Sequence, residues 1–326
     1  MLITRMFIAT AIVPVVFFSQ GLAGIDRTSE RQFTFVYEWQ IDSLLSQEGK
    51  TEVWVPLPLS SDIQQIDHYN VETNLPYRVF DDSVYGNRMI CFSVPDTVVK
   101  PHARLIFDIT RFERGAMAVP NRNRASSRVQ DPASYLGANR LVPIDGVIAR
   151  EADTVTSSES GTLNKGRALY QHLVETMRYD KSGEGWGRGD AIFACDARRG
   201  NCTDFHSLFI GMARSLGIPA RFIIGFPLPQ GDSTVTVGGY HCWAEFYTDE
   251  LGWVPIDASE ATKHPEKREY YFGHLDPDRI AFTMGRDIQL PSGGSSELLN
   301  YFVYPYAMVD GKKIGGVSHH FSVTPK

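Results

Sequence analysis

The stretch 198–258 constrains the fold more strongly than any other part of the chain. From Phe205 onward its apolar residues recur every three or four positions, which is typical of one face of an α-helix. Asn201 suits the N-cap of that helix, and Gly217 suits its end. Cys202 therefore lies in the first turn of a core-packed helix. Free N–H groups and the helix dipole favour a thiolate there and could also receive an oxyanion.

His241 and Asp257 follow on a predicted β-hairpin. The segments HCWAEFYT and WVPIDAS are typical of strands, and TDELG between them is typical of a turn. A hairpin centred on Asp249 places His241 opposite Asp257, with both side chains on the same face. A carboxylate beside an imidazole fixes its tautomer and favours the imidazolium. Near Cys202, that imidazolium would form the thiolate–imidazolium pair of a cysteine enzyme.

Each of these residues also has a simpler interpretation when it is taken alone. A single cysteine is usually a small core residue, and a single strand histidine usually has a structural partner. The helix start, the hairpin register and the chain order fit together, however. The combination therefore favours a catalytic interpretation of Cys202, His241 and Asp257.

Four motifs together resemble the transglutaminase-like superfamily over about residues 163–261; they are GNCTDF at the helix start, GIPAR before a strand, YHCWAEF and GWVPIDAS. Members of this superfamily have a papain-like core with a Cys, His, Asp triad in that order. The resemblance implies that Cys202 is the nucleophile, His241 the general base and acid, and Asp257 the orienting carboxylate. The superfamily includes proteases, crosslinking transamidases, amidases and inactive binding proteins, so the motifs indicate the machinery rather than the substrate.

Three further residues are candidates for the oxyanion site or the substrate cleft. A glycine-rich loop precedes the nucleophile helix, and no Lys-Ser/Thr follows it as in a nucleotide-binding loop. Trp186 in this loop either walls the cleft, donates its indole N–H to an oxyanion or packs in the core. Asn201 and Tyr240 are the other two candidates.

The N-terminus has the pattern of a secretory signal. Arg5 supplies the charge, residues 6–18 form an apolar segment, and small residues precede a cleavage site near Ala23. The apolar segment is too short for a spanning helix. We expect a secreted or periplasmic protein, with an uncleaved membrane anchor as the alternative.

Export makes disulfides possible for the four cysteines. Cys202 must stay free if it is catalytic, and Cys91 is predicted to lie in a buried strand. The remaining pair, Cys195 and Cys242, is expected to form a bridge behind the active site.

A metal site is a weaker interpretation of the same region. Its ligands would be Cys195, Cys202, His206, His241 and Cys242. No Cys-x₂-Cys knuckle occurs, and the spacings match no standard zinc pattern. We therefore expect neither a metal nor another cofactor.

The domain organisation is predicted to be α+β. Alternation of aromatic and polar residues from Phe33 to Ile41 indicates a strand, and further strand segments extend this pattern. We expect an antiparallel β-sandwich at 28–115, a connector at 116–160, a papain-like transglutaminase core at 161–262 and a C-terminal β extension at 263–326, after a signal peptide at 1–23.

Composition limits the class of function. The 326 residues are 43% hydrophobic and 21% charged, and the net charge of −6 argues against nucleic acid as a partner. We expect an exported cysteine enzyme that cleaves or transfers an amide or peptide bond through a Cys202 thioester, with hydrolysis of a protein or peptide preferred. The alternatives are a crosslinking transamidase and a non-catalytic binding module. Contact with a membrane is expected only if the signal segment is retained.

Overall fold

The computed structural model describes residues 29–41, 49–115, 131–291 and 297–326. The predicted signal segment and its cleavage site near Ala23 lie outside these ranges. None of the helices in the described part has the length and apolar composition needed to cross a bilayer.

The described residues form short helices between many strands. The strands are β1 (Glu30–Ile41), β2 (Thr51–Pro56), β3 (Gln64–Thr73), β4 (Tyr77–Asp81), β5 (Arg88–Val94), β6 (His102–Phe112), β7 (Arg114–Gly115), β8 (Arg178–Tyr179), β9 (Arg199–Gly200), β10 (Ala220–Pro227), β11 (Val235–Thr236), β12 (His241–Thr248), β13 (Gly252–Ile256), β14 (His274–Leu275), β15 (Arg279–Met284), β16 (Tyr306–Val309), β17 (Lys312–Lys313) and β18 (Val317–Pro325). The α-helices are α1 (Gly146–Val155), α2 (Thr162–Thr176), α3 (Ala191–Ala197), α4 (Cys202–Ser215) and α5 (Ala258–Lys263), and 3₁₀ turns span Pro132–Tyr135 and Pro265–Lys267.

The β-sandwich consists of two five-stranded sheets, with strand orders β11-β18-β1-β6-β3 and β17-β16-β2-β5-β4. Phe33, Phe35 and Tyr37 of β1 are fully buried, as the alternating pattern predicts. The two sheets meet where the Trp39 ring packs edge-on against Phe92, with centroids 5.2 Å apart. The predicted N-terminal sandwich is therefore present.

Strands from the C-terminus complete both sheets of this sandwich. β18 pairs with β1 from Phe33↔Pro325 to Ile41↔Val317, and β16 pairs with β2. The predicted boundaries treat 28–115 and 263–326 as separate units, whereas the structure combines them. Without β16 and β18, β1 and β2 would present unpaired backbone edges.

The sandwich and the four-stranded sheet of the core share one continuous hydrophobic interior. A four-stranded antiparallel sheet, ordered β13-β12-β10-β15, packs against α4. All residues of α4 except the last are buried. The Phe35 ring of the sandwich lies 5.4 Å from Phe226 of β10 and 5.6 Å from Phe282 of β15. One hydrophobic core thus supports both sheets.

Gly225 permits a close approach inside the core sheet. It pairs with His241 on one side, and the register with β15 shifts beside it. A Cβ added at Gly225 would lie 1.8 Å from the carbonyl oxygen of Ile280. Only glycine fits at this bulge.

Gly225→Ala is therefore expected to destabilise the protein by forcing β10 and β15 apart. Overpacking of this kind costs about 1–3 kcal/mol, and a chain of this size loses about 2–4 °C of melting temperature per kcal/mol. Thermal unfolding followed by circular dichroism measures the effect. Gly238→Ala is the matched control, because an added Cβ there meets nothing within 4 Å. Equal melting temperatures for the two variants would contradict the packing argument.

Candidate active site

The start of α4 is fixed by reciprocal capping. The Asn201 side chain accepts a hydrogen bond from the Thr203 N–H at 3.0 Å, and the Asp204 carboxylate accepts one from the Asn201 N–H at 2.9 Å. This is a capping box. Cys202 is thereby placed at the first helical position, where its side chain is 2% exposed.

The glycine-rich loop is fastened to the same helix start. Asp204 also accepts hydrogen bonds from the backbone N–H groups of Gly187, at 2.7 Å, and Gly189, at 3.0 Å. The Arg286 guanidinium donates to the carbonyl of Gly189 at 3.0 Å. One buried carboxylate therefore sets both the nucleophile helix and the loop in front of it.

The hairpin that carries His241 has a different register from the predicted one. Thr248 pairs with Gly252, so the loop is centred on Glu250 rather than Asp249. Gly252 has φ +70°, which suits the left-handed position of a three-residue hairpin loop. Pairing with β13 ends at Ala244↔Ile256, and His241 lies opposite Gly225 of β10 instead.

Asp257 follows β13 and forms the N-cap of α5, where its Oδ1 accepts from the Glu260 N–H at 3.0 Å. Its Oδ2 accepts a hydrogen bond from His241 Nε2 at 2.7 Å. The predicted contact between the two residues is thus present, although the predicted register is wrong.

Asp257 is fully buried and has four hydrogen-bond donors. Besides His241 and Glu260, they are the Ser259 hydroxyl at 3.0 Å and Arg279 Nη1 at 2.8 Å. Burial alone would raise the pKa of this carboxyl, but the cationic side chains of His241 and Arg279 hold the pKa well below its usual range. Asp257 is therefore an anion.

The charge of Asp257 determines the state of His241. Burial alone would lower the pKa of the imidazole, but Asp257 and Cys202 outweigh burial and raise the pKa of His241 to about 10. Burial would likewise raise the pKa of the Cys202 thiol. Hydrogen bonds from Cys242 and His241, with the positive charge of His241, instead lower that pKa well below its ordinary value. These directions favour a thiolate on Cys202 beside an imidazolium on His241.

Residues 149–258 match the sequence model of the transglutaminase-like superfamily. This part of the chain is similar to transglutaminase-like domains. The α+β fold with this core agrees with the prediction.

Individual relatives agree with this assignment. An uncharacterized protein of Haemophilus influenzae is 28% identical over 319 residues, which cover 86% of each chain. A protein-glutamine gamma-glutamyltransferase of Pseudomonas aeruginosa is 32% identical over 73 residues, 20% of this chain and 10% of that one. The solved structure of a "putative cysteine protease" from Cytophaga hutchinsonii has a TM-score of 0.60 at 14% identity and covers 91% of each chain, so the likeness is one of fold.

A second thiol and a second imidazole, Cys242 and His206, lie next to Cys202, His241 and Asp257. Cys242 Sγ lies 3.7 Å from His206 Nδ1, and His206 Nε2 lies 3.6 Å from Asp257 Oδ1. Burial lowers the pKa of His206, and burial with the neighbouring Cys202 raises the pKa of Cys242 well above its ordinary value. Both groups are therefore neutral. Across the described residues, no cluster of three or more His, Cys, Asp or Glu is arranged to hold a metal.

The predicted bridge between Cys195 and Cys242 is wrong. All four cysteines of the chain lie in described segments, and all are free thiols. Cys195 of α3 donates to a carboxylate oxygen of Glu151 in α1 at 3.0 Å, whereas Cys242 faces His206 in α4. The bridge was expected because Cys202 and Cys91 were assigned other roles, and that reasoning contains no information about where the side chains of Cys195 and Cys242 point.

Trp186 is not available as an oxyanion donor in the transglutaminase-like core. It is half-buried, and its indole N–H donates to the carbonyl of Gly183 at 3.1 Å. This contact fixes the glycine-rich loop and leaves Trp186 as a wall residue at most. Because the indole N–H is already bonded to Gly183, this contact disfavours the oxyanion role among the alternatives given for Trp186.

Asn201 and Tyr240 are brought together beside Cys202. The Asn201 amide donates to the Tyr240 hydroxyl at 2.9 Å. The Tyr240 ring packs against Tyr301 and Tyr304, at 5.7 Å and 5.9 Å between centroids. Sequence reasoning missed these two tyrosines, although the aromatic run NYFVYPY was a signal for them. With Tyr240 they form an aromatic cluster beside Asn201.

Labelling of Cys202 by iodoacetamide is expected to show a depressed thiol pKa. The thiolate should persist far below the ordinary cysteine value of about 8.5, because His241 stays cationic until the pH approaches about 10. Quantifying the alkylated Cys202 peptide by mass spectrometry against pH measures this. His241→Ala should move the midpoint upward, and Cys91 supplies an internal comparison because burial raises its pKa to about 12. Identical titration of Cys202 in wild type and His241→Ala would refute the ion pair.

Proposed function

We propose that this protein is an exported cysteine enzyme that attacks amide or peptide bonds, and that hydrolysis is its main reaction. The observation that carries the proposal is the placement of Cys202 at a helix start near His241, whose Nε2 is hydrogen-bonded at 2.7 Å to the buried carboxylate of Asp257. A thiolate beside an imidazolium is the activated nucleophile of cysteine acyl transfer. A purely structural buried site has no need of such a pair.

Acylation begins when the Cys202 thiolate attacks the substrate carbonyl carbon. The carbon–sulfur bond forms and the carbonyl oxygen becomes an oxyanion. The backbone N–H of Cys202 belongs to the helix start, where N–H groups lack intrahelical acceptors, and it can stabilise that charge. His241 then gives its proton to the leaving nitrogen. The carbon–nitrogen bond breaks, an amine departs, and a thioester remains on Cys202.

Deacylation returns the site to its starting state. Neutral His241 takes a proton from water, and the hydroxide attacks the thioester carbonyl. The carbon–sulfur bond breaks, a carboxylic acid is released, and thiolate and imidazolium are restored. Asp257 keeps the imidazole oriented through both half-reactions by its 2.7 Å hydrogen bond.

Transamidation is the second candidate. It differs only in the acceptor, since a primary amine replaces water at the thioester. The observation that favours it is the local identity of 32% with the gamma-glutamyltransferase of P. aeruginosa. That match covers 73 residues, so it supports the acyl-enzyme half-reaction common to both candidates and leaves the acceptor to experiment.

Export is part of the same proposal. The supporting feature is the N-terminal pattern of Arg5, an apolar segment at residues 6–18 and small residues before Ala23. A protein or peptide of the cell envelope is therefore the substrate class that we propose. Fractionation of cells with an antibody to the chain tests the location.

Trapping of the acyl-enzyme tests the chemistry. The full-length protein is incubated with casein or with cell-envelope peptides in ¹⁸O-water containing a fluorescent primary amine, and Cys202→Ala is the control. A Cys202 thioester, together with ¹⁸O in the carboxyl group of the released product, supports hydrolysis. Covalent incorporation of the amine supports transamidation. The absence of both, with intact thiol labelling, would favour the binding-module interpretation.

Substitutions at the three positions are expected to have unequal effects on kcat/KM. Cys202→Ala should abolish turnover, and His241→Ala should be nearly as damaging because the leaving amine loses its acid. Asp257→Ala should be less damaging, because that residue orients and stabilises the imidazole. Adding His241→Ala to Cys202→Ala should cost little more, since members of such a unit act non-additively. Steady-state hydrolysis of the best peptide measures this, and additive losses would contradict the shared mechanism.

A further inference from the structure

Arg279 lies outside the matched family region and contacts the orienting carboxylate directly. The family match ends at residue 258, whereas Arg279 begins β15. Its side chain is 3% exposed, and Nη1 donates to Asp257 Oδ2 at 2.8 Å. The same oxygen accepts from His241 Nε2 at 2.7 Å. One carboxylate oxygen therefore lies between two cations.

The rear of the Arg279 guanidinium is occupied by a second carboxylate. Nη2 donates to Asp276 Oδ2 at 2.8 Å, and Nε donates to Asp276 Oδ1 at 3.3 Å. The guanidinium carbon also lies 5.2 Å from the Trp243 ring centroid. A planar group fixed on three sides has one possible orientation, and in that orientation it faces Asp257.

Other charged or titratable groups also face Asp257, and they define the local field. His206 of α4 lies 3.6 Å from Oδ1, and Glu260 of α5 lies 3.9 Å from His241 Nε2. Tyr170 of α2 and Tyr271 are near enough to interact with its charge. Burial lowers the pKa of His206 and so keeps it neutral, and none of the other groups carries a basic side chain. Arg279 is therefore the main fixed cation that balances Asp257.

We propose that Arg279 is a positioning residue, which holds Asp257 in line with His241 and, through its own positive charge, sets the pH range over which the Cys202–His241 ion pair exists. This inference rests on the proposed function of Cys202. Removing a nearby cation favours protonation of every neighbouring group, and removing a nearby anion disfavours it. Arg279 and Asp276 should consequently have opposite effects on the site.

The test uses two readouts of the full-length protein. The acidic limb is the pH range in which Cys202 becomes a thiolate, and iodoacetamide labelling of Cys202 against pH measures it. The basic limb is the pH range in which His241 loses its proton, and ¹⁵N NMR titration of the ring measures it. Arg279→Met should move both limbs to higher pH by about one unit, the lower end of shifts caused by one adjacent charge. Arg279→Lys keeps the charge and should restore most of the wild-type profile. Asp276→Asn should move both limbs to lower pH.

Arg221→Met is the matched control. Arg221 makes a buried ion pair with Glu245 at 2.5 Å in the same sheet and stacks on Trp253 at 4.0 Å. Its loss should lower the melting temperature and leave both limbs in place. If Arg279→Met fails to fold, Arg279→Lys and Asp276→Asn still decide the matter. Limbs that stay fixed in folded variants, or that move in the same direction for Arg279→Met and Asp276→Asn, would overturn the proposal.

Failure of this inference can be distinguished from failure of the proposed function. If Cys202 in the wild-type protein titrates like a free thiol, the proposed function itself is contradicted. A wild-type profile with a depressed acidic limb that Arg279→Met does not move would remove only the role of Arg279.

Discussion

The hydrogen bond from His241 Nε2 to Asp257 Oδ2, 2.7 Å long, joins a strand end to a helix cap in the interior. Burying charges there is costly, with a penalty of several kcal/mol for each ion. The four donors around Asp257 offset that cost by satisfying its oxygens. Removing one partner of such a pair typically costs about 3–5 kcal/mol, because the other charge is left buried and unpaired. The ion pair is therefore a constraint that the surrounding structure must support.

The positions of Cys202 and His241 are supported by both the core and the sandwich. The capping box at Asn201 and Asp204 fixes Cys202, and Asp204 also fixes the glycine-rich loop. The sandwich holds the segment that leads to His241, because β11 pairs with β18 and the Tyr240 N–H donates to the Tyr304 hydroxyl at 3.2 Å. The sandwich thus helps to position the segment that leads into His241.

Local patterns in the sequence were sufficient for the helix of Cys202 and for the meeting of His241 with Asp257. Apolar periodicity and a good cap identify α4. The hairpin pattern correctly places Asp257 near His241, although the two residues meet beyond the paired part of the hairpin. The register was wrong because Gly252 takes the left-handed position, which moves the centre of the loop by one residue. A short-range sequence pattern predicts on which face of a strand a side chain lies more reliably than it predicts which residue lies opposite on the neighbouring strand.

Long-range relations could not be predicted from the sequence. Pairing of β18 with β1 connects the two ends of the chain, and no local signal identifies such partners. Arg279 is one arginine among many, and only the fold shows that it contacts Asp257. The thiols of Cys195 and Cys242 likewise point to different neighbours, which their spacing does not reveal.

The charge state of Cys202 is the central claim of this account, and ultraviolet thiolate absorbance measures it without a substrate. The difference between wild type and Cys202→Ser, recorded against pH, isolates this one sulfur. We predict a signal equal to one thiolate per chain at neutral pH, which disappears in a single step in the acidic range. A difference that is absent at neutral pH and emerges only near about 8.5, as for an ordinary cysteine, would contradict the account.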